Sequence, residues 1–173
     1  DGGTHEAFDE AVAHALSLAE EGAQIIDVGG ESTRPGSSAP SLEEEKARTV
    51  EVVRELAARG LCVSIDTRHV EVARACVEAG ASIINDVSGF RDQAMIDFAA
   101  QTDVGLVVMH MRGTPDTMQV DVSYHDVVAE VYEYLQTQAM TLEHAGVDHS
   151  RICIDPGPGF GKDASQTLEL LCN

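Results

Sequence analysis

Five short runs of this chain, at 24–28, 62–65, 82–85, 105–109 and 151–154, are almost continuously apolar. They lack the polar alternation of a strand with one wet face, so each is a strand covered on both sides. The segments between them supply the cover. Residues 5–21 carry Phe8, Val12, Ala15, Leu16 and Ala19 at helical spacing, with Gly22 as a stop. Ser41 with Glu44 three residues on has the form of a capping box and predicts a helix to about Arg59. Further helices are predicted up to Ala79, over 93–101, over 124–145 and from about Ala164. The strands start at the spacing of βα units, not of hairpins, which makes the fold class α/β with a parallel sheet. Five strands do not close an eight-stranded barrel, which takes about 250 residues. Period and composition therefore leave open a five-stranded doubly wound sheet or the middle of a longer barrel. No linker or low-complexity segment divides residues 1–173, so a single domain is expected.

The charge balance excludes some partners. With 11 Lys+Arg against 30 Asp+Glu, the net charge is −19, which argues against nucleic acid and anionic membrane, both of which need clustered cations. No apolar run approaches the length of a membrane span, and no signal peptide opens the chain. It begins at Asp1 without a methionine, so residues upstream are expected. Cys62, Cys76, Cys153 and Cys172 form no CxxC and have no histidine at zinc spacing. They are expected to be reduced, which suits a cytoplasmic protein.

Each apolar run ends in an acid or a histidine, with a base within seven positions: Asp27 and Arg34, Asp66 and Arg68, Asp86 and Arg91, His110 and Arg112, Asp155 and Lys162. Parallel strands would bring these to one face and make a site for a small, polar, phosphorylated ligand. A carboxylate at a strand end can accept two N–H bonds from an amidine-like edge such as that of a pterin or guanine, and an asparagine can serve its neighbours. Asp66, Asn85 and Asp155 are the candidates; the alternative for Asp66, and for Asp86, is a cap on the helix that follows. Ser32-Thr33-Arg34-Pro35-Gly36 is a stiff cationic loop in which Arg34 offers a fork to an anion. His110 is either a general base or a satisfied histidine beneath a loop. Residues 155–162 form a glycine-rich turn that is neither GxGxxG nor a P-loop and is expected to present Phe160 for stacking and Lys162 as a cation. The two longest loops, 31–40 and 111–123, are candidate functional loops.

Five motifs in this order, DVGGESTRPG, SIDT, AGASIINDVSG, MHMRGTP and DPGPGFGK, resemble the dihydropteroate synthase family of pterin-binding enzymes, over essentially the whole chain. The resemblance implies a TIM (β/α)8 barrel of which this chain covers about strands 2 to 6, incomplete at both ends, and a homodimer. It implies condensation of 4-aminobenzoate with a dihydropterin diphosphate in folate biosynthesis, a Mg2+ cofactor whose asparagine ligand lies upstream, and membership of the family that sulfonamides target. By motif position, Asp66, Asn85 and Asp155 would hold the pterin edge, with Met109 lining its pocket and Phe160 beside it. Thr33, Arg34 and Pro35 would form a flexible loop at the diphosphate and aminobenzoate, and Asp1 would lie near the reacting centre. Arg34, Asp66 and Asp155 would be the catalytic residues, whereas Asp27, Asp86, Arg68, Arg91, Arg112 and Lys162 would orient or support. Pro158 departs from an aromatic or apolar residue common there. The Ser-Arg-Lys and Arg-x-His stretches of the family's last strands are not in this sequence, so the segment alone is expected to be inactive and incompletely folded. The alternatives are a methyltetrahydrofolate-dependent methyltransferase of the same barrel group and a non-catalytic homologue.

Overall fold

The structure, a computed structural model, describes residues 8–32, 39–120 and 122–173. The expectations for Asp1, Thr33, Arg34 and Pro35 concern residues outside these. The described chain divides into two compact units, 8–32 with 39–85, and 86–120 with 122–173.

The first unit contains α1 (Phe8–Glu20), β1 (Ile25–Gly29), α2 (Leu42–Ala58), β2 (Cys62–Asp66), α3 (Val70–Ala79) and all but the last residue of β3 (Ile83–Asp86). The predicted box starts α2: the Glu44 N–H donates to Ser41 Oγ at 3.3 Å, and the Ser41 N–H donates to Glu44 Oε2 at 2.8 Å. Each such cap contributes about 1 kcal/mol. Val53 and Leu56 of α2 and Val72, Ala73 and Cys76 of α3 are wholly buried where the two helices pack, and each large aliphatic side chain there contributes about 1.5–3 kcal/mol. β1, β2 and β3 run parallel, with Gly29 opposite Asp66 and Asp66 opposite Asn85.

The second unit contains Asp86, α4 (Gln93–Ala100), β4 (Gly105–Met109), α5 (Val127–His144), β5 (Ile152–Asp155) and α6 (Ala164–Cys172). β4 and β5 are parallel, with Met109 opposite Asp155. The sequence reading starts α5 at 124, but the helix begins after the cap Asp126. Glu130 turns back to accept from the N–H groups of His125 and Asp126 and so fixes that start. Tyr124 is left outside the helix, and its hydroxyl donates to the Gly161 carbonyl at 2.9 Å. β5 starts one residue later than predicted because Arg151 closes a 3-10 turn over His149–Arg151. Its guanidinium then donates to the Val104 and Ala99 carbonyls.

One expectation is corrected. The apolar runs predict strands covered on both faces, yet Cys153 is exposed and Ile154 is 54% exposed on β5. α6 buries no residue, and its Leu168 and Leu171 are exposed. These side chains carry the code for burial, but nothing among the described residues covers them. All four cysteines are free. No helix among the described residues is long and apolar enough to cross a membrane.

Candidate active site

In the first unit, the register puts Gly29, Asp66 and Asn85 side by side on three adjacent strands. Residues two apart on a strand share a face, so Asp27 joins them there, and Asn85 Nδ2 donates to Asp27 Oδ2 at 3.3 Å. The strand ends thus present two carboxylates and a carboxamide together, a set able to accept and donate along the edge of a flat heterocycle. Asp66 does not cap the next helix. The cap of α3 is His69, which makes no side-chain capping bond.

The turn after Asp66 is held from two sides. Thr67 Oγ1 donates to Glu45 Oε1 at 2.5 Å, and His69 Nδ1 lies 2.7 Å from Glu45 Oε2. Arg68 places its fork on Glu31, with Nε and Nη2 each 2.9 Å from a carboxylate oxygen. Sequence reasoning missed Glu45. It stands third in the run Glu43-Glu44-Glu45, where acids favour a helix N-terminus in any case, and only the packing shows that it is wholly buried. Arg68, which the charge pattern offers as a cation for an anion and the resemblance as an orienting or supporting residue, is paired with Glu31.

Glu31, Glu45 and His69 place ligand atoms within 4.8 Å of one another, the one such group among the described residues. They do not fit Mg2+. The ion takes about six oxygen ligands in a near-octahedral shell, whereas this group includes an imidazole. Both Glu31 oxygens hold Arg68, and both Glu45 oxygens are engaged by Thr67 and His69.

In the second unit, the turn after β5 folds back on the end of β4. Asp155 Oδ1 accepts from the Gly157 N–H at 2.7 Å. Helix α6 is capped by Asp163, not by Asp155. Met109 is buried with Val87, Met111 and Met118, and Phe160 packs against this cluster. Lys162, which the charge pattern offers as a ligand-facing cation and the resemblance as an orienting or supporting residue, is turned inward. It is 3% exposed. Its ammonium is 2.8 Å from His110 Nδ1 and donates to the carbonyls of Gly157, Phe160 and His110 at 3.0–3.2 Å. Burial pulls the Lys162 pKa down to about 8, against an opposing pull from Asp155. Burial, and then the Lys162 charge, lower His110 to about 4. His110 is therefore neutral at pH 7 with Nδ1 accepting from Lys162. This is the satisfied histidine of the two readings, and its ring meets Tyr134 edge-on at 4.9 Å.

The remaining strand-end groups in this unit brace loops. Both Asp86 oxygens accept backbone N–H groups, from Ser88 and Phe90, and burial raises its pKa. Arg112 lies over the Tyr124 ring at 4.6 Å and donates to the Ser123 carbonyl. Arg91 donates to the Tyr134 hydroxyl at 3.0 Å, to the Gly113 carbonyl at 2.8 Å and to the Met111 carbonyl. Arg91→Ala should destabilise the protein by only about 1 kcal/mol, because Arg91 is exposed. It should speed proteolytic cleavage within 111–120, and Arg91→Lys should not restore protection, because one ammonium cannot reproduce the fork. Unchanged cleavage in both variants would refute the tether.

A parallel α/β chain with polar side chains gathered at the carboxyl ends of its strands is of the class that binds small polar ligands there. The profile of the pterin binding enzyme family matches residues 1–173. The chain is 44% identical over 172 residues to the dihydropteroate synthase of Escherichia coli, covering 99% of this chain and 61% of that protein. A dihydropteroate synthase of Xanthomonas albilineans, solved with 4-aminobenzoic acid, superposes with a TM-score of 0.90 at 46% identity, over 100% of this chain and 62% of that one. The Burkholderia cenocepacia enzyme complexed with 7,8-dihydropteroate gives a TM-score of 0.85 at 46% identity, over 91% of this chain and 56% of that one. The chain belongs to the pterin binding enzyme family, and its fold corresponds to about strands 2 to 6 of a TIM barrel. It spans about 61% of the length of the Escherichia coli relative.

Proposed function

We propose that the protein carrying this chain is a dihydropteroate synthase, joining 4-aminobenzoate to 7,8-dihydropterin-6-ylmethyl diphosphate with release of diphosphate. The observation that carries this reading is the family match along all of residues 1–173. The grouping of Asp27, Asp66 and Asn85 on one face supports it. Asp66, Asn85 and Asp155 are assigned to the pterin's hydrogen-bonding edge, Met109 and Phe160 to the apolar surroundings of its ring, and Thr33, Arg34 and Pro35 to the diphosphate and aminobenzoate. Arg34, Asp66 and Asp155 are the proposed catalytic groups.

In the reaction the arylamine nitrogen forms a bond to the pterin methylene carbon. The bond from that carbon to the diphosphate oxygen breaks, diphosphate leaves with the electron pair, and the nitrogen loses a proton to water. An arylamine is already neutral near pH 7, so no strong base is required, and positioning with charge stabilisation supplies the acceleration. The neutral His110, with Nδ1 held by Lys162, accords with that chemistry. Mg2+ belongs to the same reading. The Glu31–Glu45–His69 group does not fit it, so its ligands would come from other residues, and no step is assigned to it. Residues 1–173 are taken as part of a single barrel domain of a cytoplasmic homodimer.

The test is diphosphate release by the natural protein that carries this chain. Release from the pterin diphosphate should require 4-aminobenzoate. Asp66→Ala should lower kcat/KM about 10- to 100-fold, the worth of one charge-assisted hydrogen bond. Methyl transfer from methyltetrahydrofolate to a corrinoid, or no turnover with either substrate pair, would overturn the reading.

A further inference from the structure

The buried acid Glu45 has no part in the chemistry just proposed, yet the residues that follow Asp66 are built around it. Its carboxylate takes Thr67 Oγ1 at 2.5 Å on one oxygen and meets His69 Nδ1 at 2.7 Å on the other. Thr67 Oγ1 in turn accepts from the His69 N–H at 3.1 Å, which closes the turn internally. Glu45 is itself seated firmly. A Cβ on Gly30 would stand 2.9 Å from Glu45 Cγ and 3.0 Å from Thr49 Cγ2, so only glycine lets the start of α2 approach the chain leaving β1 this closely. Arg48 Nη1 donates to the Gly30 carbonyl at 3.0 Å, and Thr49 Oγ1 donates to the Glu45 carbonyl at 2.8 Å. The residue after Gly30, Glu31, holds Arg68 between the two residues that Glu45 holds. All three residues after Asp66 are thus fixed by two carboxylates, Glu31 from the chain leaving β1 and Glu45 from the first turn of α2.

We infer that Glu45 is a positioning residue for substrate recognition: through Thr67 and His69 it sets the turn that aims the Asp66 carboxylate at the pterin. This rests on the pterin reading of Asp66. A buried carboxylate with both oxygens engaged is costly to disturb, and a turn held at three successive residues leaves the preceding side chain little freedom to swing. A small change of aim is enough to weaken a hydrogen bond, which falls off steeply with angle.

Glu45→Ala would leave a buried space and risks misfolding, so the deciding variants are Thr67→Val, which keeps the shape and removes the hydroxyl, and Thr67→Ser, which keeps the hydroxyl. Both are made in the natural protein and assayed for diphosphate release, with each substrate varied in turn. Thr67→Val should raise KM for the pterin diphosphate about tenfold, the loss of roughly one well-aimed hydrogen bond. KM for 4-aminobenzoate should stay within about twofold, and Thr67→Ser should return the pterin KM to near the original. A general loosening of the fold would instead move both KM values and lower Tm, and that result, or an unchanged pterin KM, overturns the inference. Calorimetry with a dihydropterin alone separates the two readings. If the unaltered protein binds the pterin but turns nothing over, the enzymatic reading fails while the Thr67→Val comparison of pterin affinity still decides the positioning role. If it binds no pterin, both fall.

Discussion

Gly157→Ala should destabilise the protein by about 3 kcal/mol, of which about 1–2 kcal/mol is the left-handed backbone and the remainder overpacking. Gly157 sits at φ +62°, and a Cβ there would collide with the His110 carbonyl oxygen and stand 3.1 Å from Met109 Cγ. The carbonyl belongs to backbone at the end of β4, where the His110 N–H donates to the Asp155 carbonyl at 2.9 Å, so it has no room to withdraw. In the natural protein this should lower Tm by several degrees, at about 2–4 °C per kcal/mol for a domain of about 150–250 residues. The consequence for function is larger than the stability loss suggests. The Gly157 N–H is what Asp155 Oδ1 accepts, and the Gly157 carbonyl is one that Lys162 holds. Displacing this residue moves the proposed pterin acid, and affinity for a dihydropterin should fall at least tenfold at a temperature where the variant is still folded. A variant with unchanged Tm and unchanged pterin affinity would show that the turn accommodates a methyl group and that its glycine has another origin.

The second large effect is expected at Lys162, in both stability and its pH dependence. Lys162→Met removes the donor shared by three carbonyls and His110 Nδ1. The stranded acceptors should cost about 2–3 kcal/mol at pH 7, net of the relief from burying no charge. The pKa of Lys162 falls from the usual 10.5 to about 8 in the folded chain, so between those values the unfolded state binds more protons and stability should rise with pH. Below about pH 8 lysine is charged in both states, and the full cost of burying that charge is present. His110 acts in the acid range. Its pKa drops from 6.5 to about 4, so as pH falls across that interval the unfolded chain takes up a proton that the native chain refuses, and stability should be lost. Lys162→Met should flatten the alkaline rise and, by removing the second cause of the His110 shift, shrink the acid loss. Urea unfolding of both proteins from pH 4 to 10.5 measures this. An identical alkaline slope in the variant would place the titration on another group.

These two positions show how far the residues alone could be read. The glycine-rich turn and its lysine are visible as a motif, but the charge pattern alone gives the lysine to a ligand, and only the resemblance gives it a supporting role. A cation after a strand looks the same in sequence whether it faces an anion or turns inward to collect carbonyls, and only the path of the chain over 157–162 distinguishes them. Arg91 shares this ambiguity, since its partners at 111, 113 and 134 are distant in sequence. Glu45 shows the opposite failure. In a run of three acids at a helix start it reads as solvated, and its burial depends on how closely Gly30 lets α2 approach. Boundaries failed where local bonds outran the apolar pattern, as at Asp126 with Glu130 and at the 3-10 turn before β5.

What the residues settled by themselves was periodic or short in range: the βα alternation, the absence of polar alternation in the strands, the Ser41–Glu44 box and the acids at the strand ends. These depend on backbone geometry and on neighbours within a turn, so they survive in a linear string, and the five motifs were enough to suggest the family. The tertiary structure decided which charges meet. It set Asp66 between Gly29 and Asn85, gave Glu31 to Arg68, closed Glu45 over the turn at 67–69 and turned Lys162 inward. Each of these depends on side chains that are far apart in sequence and that come within about 3 Å only when strands are in register and helices have packed, because a hydrogen bond or buried ion pair has no strength until the chain has brought its partners together and excluded water.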